Sequence, residues 1–216
     1  MQNLTPIVDG IRDELEALSD ARDQAIRRSR KLIRYCANSI RTMHRGEFDQ
    51  AEALLETARE AATEMVRDVE AYPLLYSAGY TQDALKEFVE ARAVYAMLTR
   101  EPVPGPEDLA VAVGHPAYLK GLAEAASEMR RAILDTIRRG DLESGETLLG
   151  DMEEVYAAMT TIDFPDAVTG GLRRTTDVLR AVLERTRGDV TVTKQQEKLR
   201  QALVDFESRV NGVSEG

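Results

Sequence analysis

The stretch 83-DALKEFVEARAVYAML-98 decides how the chain is read. At about 100° per residue, Glu87 and Glu90 lie one turn apart and share a face with Ala91, Val94 and Leu98. Phe88, Val89, Tyr95 and Ala96 occupy the far side. The segment is therefore a helix that is apolar nearly all round, as in an element buried among other helices. Two carboxylates on such a helix are costly unless they are paired, protonated or bound to a cation. Small Ala91 leaves space beside them. The residue chemistry leaves two readings open: ion pairs with arginine from a neighbouring element, or a metal held between carboxylates.

Outward from this helix the chain is a row of similar segments. Apolar residues recur at a period near 3.6 between seven prolines. Thr5-Pro6 is an N-cap and first-turn pair opening a helix that runs to about Arg45 and is broken by Gly46. A second helix covers about Phe48–Ala71, and the turn AYPLLYSAGY leads into the quoted one, about Thr81–Arg100. EPVPGPED is a loop. Further helices are expected over about Pro116–Arg139, Leu142–Ile162, from Gly171 to about Arg187, and over Lys194–Val210. The β-branched stretch GDVTVT reads as a loop between the last two. VTVT is too short to stand as a sheet. The segments 44-HRGEFDQAEALL-55 and 138-RRGDLESGETLL-149 echo one another, most simply as the same helix-Gly-helix solution, the alternative being an old helical-hairpin duplication within one domain. The expectation is an all-α fold, with residues 1–216 as a single helical domain.

Composition narrows the function. A hydrophobic content of 43% with 31% charged residues fits a folded chain with a real core. No apolar run reaches the roughly 18 residues that span a bilayer. The start MQNLTPIVDG has neither a basic n-region nor an apolar core, so no secretory signal is expected and the expected compartment is the cytoplasm. The single cysteine, Cys36, excludes an intramolecular disulfide and a cysteine-rich zinc site. With only two histidines, His44 and His115, there is no Glu-x-x-His pair for a di-iron bundle, and no Ser-His-Asp or Cys-His arrangement stands out. An oxygen-only site selects Mg²⁺ or Mn²⁺.

The net charge of −10 argues against nucleic acid, but its distribution does not. Residues 21–46 carry eight Lys or Arg and one acid, Asp23, a local charge of +7. Arg27, Lys31, Arg34, Arg41 and Arg45 fall within about 40° of one line on the helix, a stripe about 27 Å long. Ile26, Leu32, Ile33, Cys36, Ile40 and Met43 lie on the other side. A solvated face normally mixes charge signs to gain i,i+4 pairs; this one is nearly single-signed. It suits several backbone phosphates, or the acidic face of a protein partner. Aromatic residues are scarce, which argues against base-specific readout. On the helix from Pro116, Glu124 and Glu128 are again one turn apart, with Lys120, Arg131 and Asp135 on their face and Leu122, Ala126, Met129, Ile133 and Ile137 opposite. Lys120–Glu124–Glu128 reads as a plain i,i+4 ladder, and residue chemistry alone does not select it as a site.

Three stretches carry a family resemblance: GY-x₃-ALKEFVEA (Gly79 to Ala91), HPAYLKGLAEAASEMRR (115–131) and GLRRTTDVLRAVLERTRGDVTVT (171–193). In this order the chain, from about residue 20 to 200, resembles the translin family, in its compact archaeal form and nearer the branch of translin-associated factor X. The resemblance implies a bundle of about seven helices whose subunits form hollow, usually octameric barrels enclosing RNA or single-stranded DNA. In the factor X branch, a Glu-x-x-Glu pair and acids on a later helix bind Mg²⁺ and cut RNA. Glu87 and Glu90 match the first pair; Glu124 and Glu128 match the later acids. The family usually has aspartate at the position of Glu124 and glycine at that of Ser127, so this chain departs from the pattern there. The reading implied is a Mg²⁺- or Mn²⁺-dependent endoribonuclease, a hydrolase acting on single-stranded RNA, with Glu87, Glu90, Glu124 and Glu128 as metal ligands and the Arg27–Arg45 stripe holding the backbone. The alternatives are a translin-like RNA or single-stranded-DNA holder that does not cut, and a helical protein-interaction module.

Overall fold

The computed structural model describes residues 4–213. They form α1 (Leu4–Met43), α2 (Phe48–Val69), the single turn α3 (Pro73–Tyr76), α4 (Gly79–Thr99), a 3₁₀ turn (Pro106–Leu109), α5 (His115–Arg138), α6 (Leu142–Thr160), the short α7 (Asp166–Thr169) and α8 (Leu172–Val213). No strand occurs among the described residues, and the fold is all-α. None of these helices is long and apolar enough to cross a membrane.

The chain divides into two compact units, Met1–Ala125 with Asp163–Arg173, and Ala126–Ile162 with Arg174–Gly216. In the first, α1 packs on α2 and α4, α2 packs on α4, and α3 touches both α2 and α4. Helix α4 is the central element, as its sequence requires: Ala84, Leu85, Phe88, Val89, Ala91 and Val94 are all buried. Fully burying a side chain such as Leu85 or Phe88 contributes about 1.5–3 kcal/mol. In the second unit, polar clamps tie the helices. Arg130 on α5 pairs with Asp189 at 2.8 Å and donates to the Thr186 hydroxyl at 3.1 Å. Arg187 pairs with Glu153 and Lys194 with Glu146, joining α8 to α6.

The two echoed segments are one backbone device used twice. Gly46 and Gly140 have φ +78° and +81°, the left-handed region that glycine adopts without a Cβ clash. The next residue's N–H then reaches back to close the helix, Glu47 to the Thr42 carbonyl and Asp141 to that of Thr136.

One expectation is overturned. GDVTVT is not a loop: α8 runs unbroken from Leu172 to Val213, so the two expected helices are one. Val190 is buried and continues the apolar line of Leu179 and Leu183. Thr186, Thr191 and Thr193 donate their hydroxyls to the carbonyls of Val182, Arg187 and Asp189 one turn back, which satisfies them inside a helix. Packing and the Arg130 clamp outweigh the weak β preference of the stretch. Gly188 is then an exposed mid-helix glycine with open space around its Cα. Gly188→Ala is expected to raise stability by about 0.5–1 kcal/mol in chemical denaturation; a loop at this point would give no such gain.

Candidate metal centre

The carboxylate cluster is built by α4 and α5. Glu87 and Glu90 project from one side of α4, and Glu124 comes from the first half of α5. One oxygen from each lies within 4.8 Å of the others, and all three side chains are half-buried. What allows the helices so close is Gly121, one turn before Glu124. A Cβ built there would stand 2.6 Å from the Lys86 carbonyl oxygen and 2.8 Å from the Val89 Cβ. Any larger residue would push α5 off α4 and carry Glu124 away.

A counter-charge at the cluster is Lys86, which the sequence reading did not single out. Its ammonium pairs with Glu87 at 3.0 Å and also with Glu124. The Lys86 side chain is only 14% exposed, against 26% for Glu87 and 34% for Glu124. Burial by itself would lower the Lys86 pKa; the hydrogen bonds to Glu124 and then Glu87 outweigh it and hold the ammonium well above the ordinary lysine value. The expected ladder along α5 is therefore corrected. Glu124 turns across to Lys86, and Lys120 donates instead to the Gly170 carbonyl at 3.2 Å. The reason is reach: the Gly121 contact puts an ammonium on α4 directly beside Glu124.

Glu128 lies one turn further along α5 and falls in the second unit. It is half-buried and has interactions of its own; the three converging carboxylates do not include it.

On the other side of the cluster is α1. Cys36 is fully buried there. Burial first, then the negative charges of Glu87 and Glu90, push its thiol well above the usual range. Since the thiolate is the reactive form, Cys36 is expected to stay unmodified by a disulfide reagent at pH 8 in the native protein and to react at once in guanidinium. Rapid native-state labelling would contradict this packing.

The basic stripe forms as expected on the exposed side of α1. Arg27, Lys31, Arg34, Arg41 and Arg45 are all exposed. Arg27 hydrogen-bonds to Gln24 and Arg41 to Asn38, and Lys31 and Arg34 lie 5.7 and 6.0 Å from the centre of the Tyr35 ring. Among the described residues none of these four is ion-paired; Arg45 is, with Glu47 at 2.9 Å. Arg28, one of the basic residues of this segment outside the stripe, clamps Glu64 and Asp68 of α2. Because Cys36 faces Glu87 and Glu90 from the buried side of α1, the stripe and the carboxylates lie on opposite sides of that helix.

No protein-family model matches the sequence. An uncharacterized protein of Methanocaldococcus jannaschii is 29% identical over 183 residues, 84% of this chain and 80% of that one. Among solved structures, C3PO of Nematostella without ligand superimposes with a TM-score of 0.78 at 23% identity, covering 87% of this chain and 97% of its own, and shares the fold. C3PO of Archaeoglobus is 32% identical, with 88% of this chain and 97% of that chain covered; the TM-score is 0.79 for the protein alone and 0.76 for its complex with duplex RNA. At that identity over nearly the whole of the Archaeoglobus chain, the present chain belongs to the translin-like C3PO family.

Proposed function

We propose that this chain is the subunit of a homo-oligomeric endoribonuclease of the factor X type. In this reading it binds RNA through backbone phosphates and cuts it with Mg²⁺ or Mn²⁺ held by Glu87, Glu90 and Glu124. The observation that carries the reading is the convergence of these three carboxylates from two helices. The donor set fits a hard cation. It is all oxygen, and Mg²⁺ takes such ligands at about 2.0–2.1 Å, so oxygens already within 4.8 Å of one another need only small side-chain turns. Glu128 is the fourth acid the resemblance implies, and its part as a ligand belongs to the same proposal. A bound divalent ion would supply Lewis acidity toward a phosphoryl oxygen and a lower pKa for water. The chain's own contribution is to hold the three carboxylates in register across the α4–α5 contact and to offer one of them as proton acceptor for the attacking water.

The unpaired cations of α1 are proposed as the phosphate contacts, positioning the strand without reading bases. As they face away from the carboxylates of their own chain, a strand on this stripe reaches a metal centre by way of another subunit. Exposed apolar residues support such assembly: Ile7, Ile11 and Leu15 on α1, and Leu199, Leu203, Phe206 and Val210 on α8, recur at three- and four-residue spacing, as in helix-packing seams. An octameric, hollow arrangement and a cytoplasmic setting are part of the proposal. The binding of duplex RNA by the Archaeoglobus relative supports RNA as the ligand, and a backbone-reading face accommodates single-stranded RNA and single-stranded DNA as well. Lys86 favours a second reading, a holder that does not cut, because an ammonium already neutralises part of the carboxylate cluster.

The deciding experiment is cleavage of end-labelled single-stranded and duplex RNA with Mg²⁺, with Mn²⁺ and with EDTA. Metal-dependent cleavage is expected; RNA bound but intact in all three would leave the holder. In EDTA, replacing Arg27, Lys31, Arg34 and Arg41 together by glutamine is expected to flatten the salt dependence of RNA binding. Each single-strand phosphate contact contributes a slope of about 0.7 in log K against log salt, so the four are worth up to about 3. An unchanged slope would remove the stripe from the binding face.

A further inference from the structure

The ammonium of Lys86 sits where a cation is wanted. It bonds Glu87 and Glu124, two of the three carboxylates whose oxygens converge, and reaches them from the same helix turn as Glu87. Its side chain is more buried than either partner, so it is part of the wall of the site. Its position is also fixed from behind, because the Lys86 carbonyl is the atom against which Gly121 packs. The backbone that carries the ammonium is thus the same backbone that sets the α4–α5 distance.

We infer that Lys86 is a tethered counter-cation that holds the carboxylate cluster together before loading and competes with the divalent ion for Glu87 and Glu124. This rests on the metal-centre reading given above. Three carboxylates this close repel one another, and without a cation the pair from α4 and the one from α5 would turn apart into solvent. The ammonium prevents that, at the expense of metal affinity: a divalent ion entering among these oxygens meets a fixed positive charge roughly 4 Å away, and like charges at that distance repel strongly in a part-buried site. Entry of the ion therefore displaces the ammonium from at least one carboxylate. A displaced Lys86 is a free cation at the edge of the site, placed for a phosphate oxygen. Metal and RNA backbone then load together, each favouring the other, as linkage requires.

The test is Mn²⁺ binding by electron paramagnetic resonance and by calorimetry, without RNA, for the wild-type protein, Lys86→Met and Glu87→Gln/Glu124→Gln. Lys86→Met keeps the unbranched stem of the side chain and removes the ammonium with its charge. It is expected to bind Mn²⁺ about tenfold or more tightly than wild type, while the glutamine variant binds far more weakly. A 20-nucleotide phosphorothioate RNA that resists cleavage should tighten Mn²⁺ binding in the wild type and do so less in Lys86→Met. Should Lys86→Met fail to fold, Lys86→Gln, which keeps one hydrogen bond to a carboxylate, serves in its place. Equal or weaker Mn²⁺ binding in the folded Lys86 variant overturns the inference and leaves the metal centre standing. No Mn²⁺ binding in any of the proteins overturns the metal centre itself.

Discussion

Glu87→Gln and Glu124→Gln are each expected to reduce metal-dependent cleavage of RNA by about a hundredfold or more, the usual effect of removing one charged group that acts on the reacting phosphate. Glutamine keeps the volume and one hydrogen-bonding oxygen, so Lys86 retains an acceptor on each helix. The folding cost is small: the lost pairs are part-exposed, and such pairs contribute little to stability. RNA binding in EDTA should be unchanged, because the stripe on the far side of α1 is untouched. Single-turnover rates at saturating Mg²⁺, set beside melting temperatures and Kd values, separate the three effects. Cleavage at the wild-type rate in both variants would remove these carboxylates from the chemistry and turn Glu87 and Glu124 into structural partners of Lys86.

The second large effect is expected from the smallest change. Gly121→Ala places one methyl group where a Cβ meets the Lys86 carbonyl oxygen at 2.6 Å and the Val89 Cβ at 2.8 Å. Both obstacles are rigid: one is backbone, the other the branched carbon of a buried valine. The helices must separate, and overpacking of this kind costs about 1–3 kcal/mol. The intrinsic gain of alanine over glycine in a helix, about 1 kcal/mol, is too small to reverse it. Gly188→Ala, with open space around it, is the contrasting control that stabilises. Separation of α5 from α4 also withdraws Glu124 from the other two carboxylates, so Gly121→Ala is expected to weaken Mn²⁺ binding even where the protein is fully folded. A variant as stable as wild type with unaltered Mn²⁺ affinity would mean that the α4–α5 contact does not set the site.

These two results divide what is local from what is tertiary. The apolar character of 83–98 is a property of consecutive residues, and it correctly makes α4 the buried centre of an all-α fold. The helix ends at Gly46 and Gly140 were legible for the same reason, since a left-handed glycine before an acid is a device confined to a few residues. The single-signed face of α1 was legible too: a helix wheel needs only the sequence. GDVTVT was misread because its β-branched residues state a weak local preference, whereas the burial of Val190 and the grip of Arg130 on Thr186 and Asp189 come from another helix.

The all-α fold, the glutamate pair on α4 and the run of cations on α1 follow from residue order alone, because each is written in residues less than a few turns apart. Helix packing is what brings Glu124 up to Glu87 and Glu90, makes Lys86 the shared counter-charge of Glu87 and Glu124, and turns the basic stripe away from all three carboxylates. Those facts depend on how closely two helices approach. That distance is set at Gly121, by an absent side chain, and the sequence around it carries no periodicity that would reveal it.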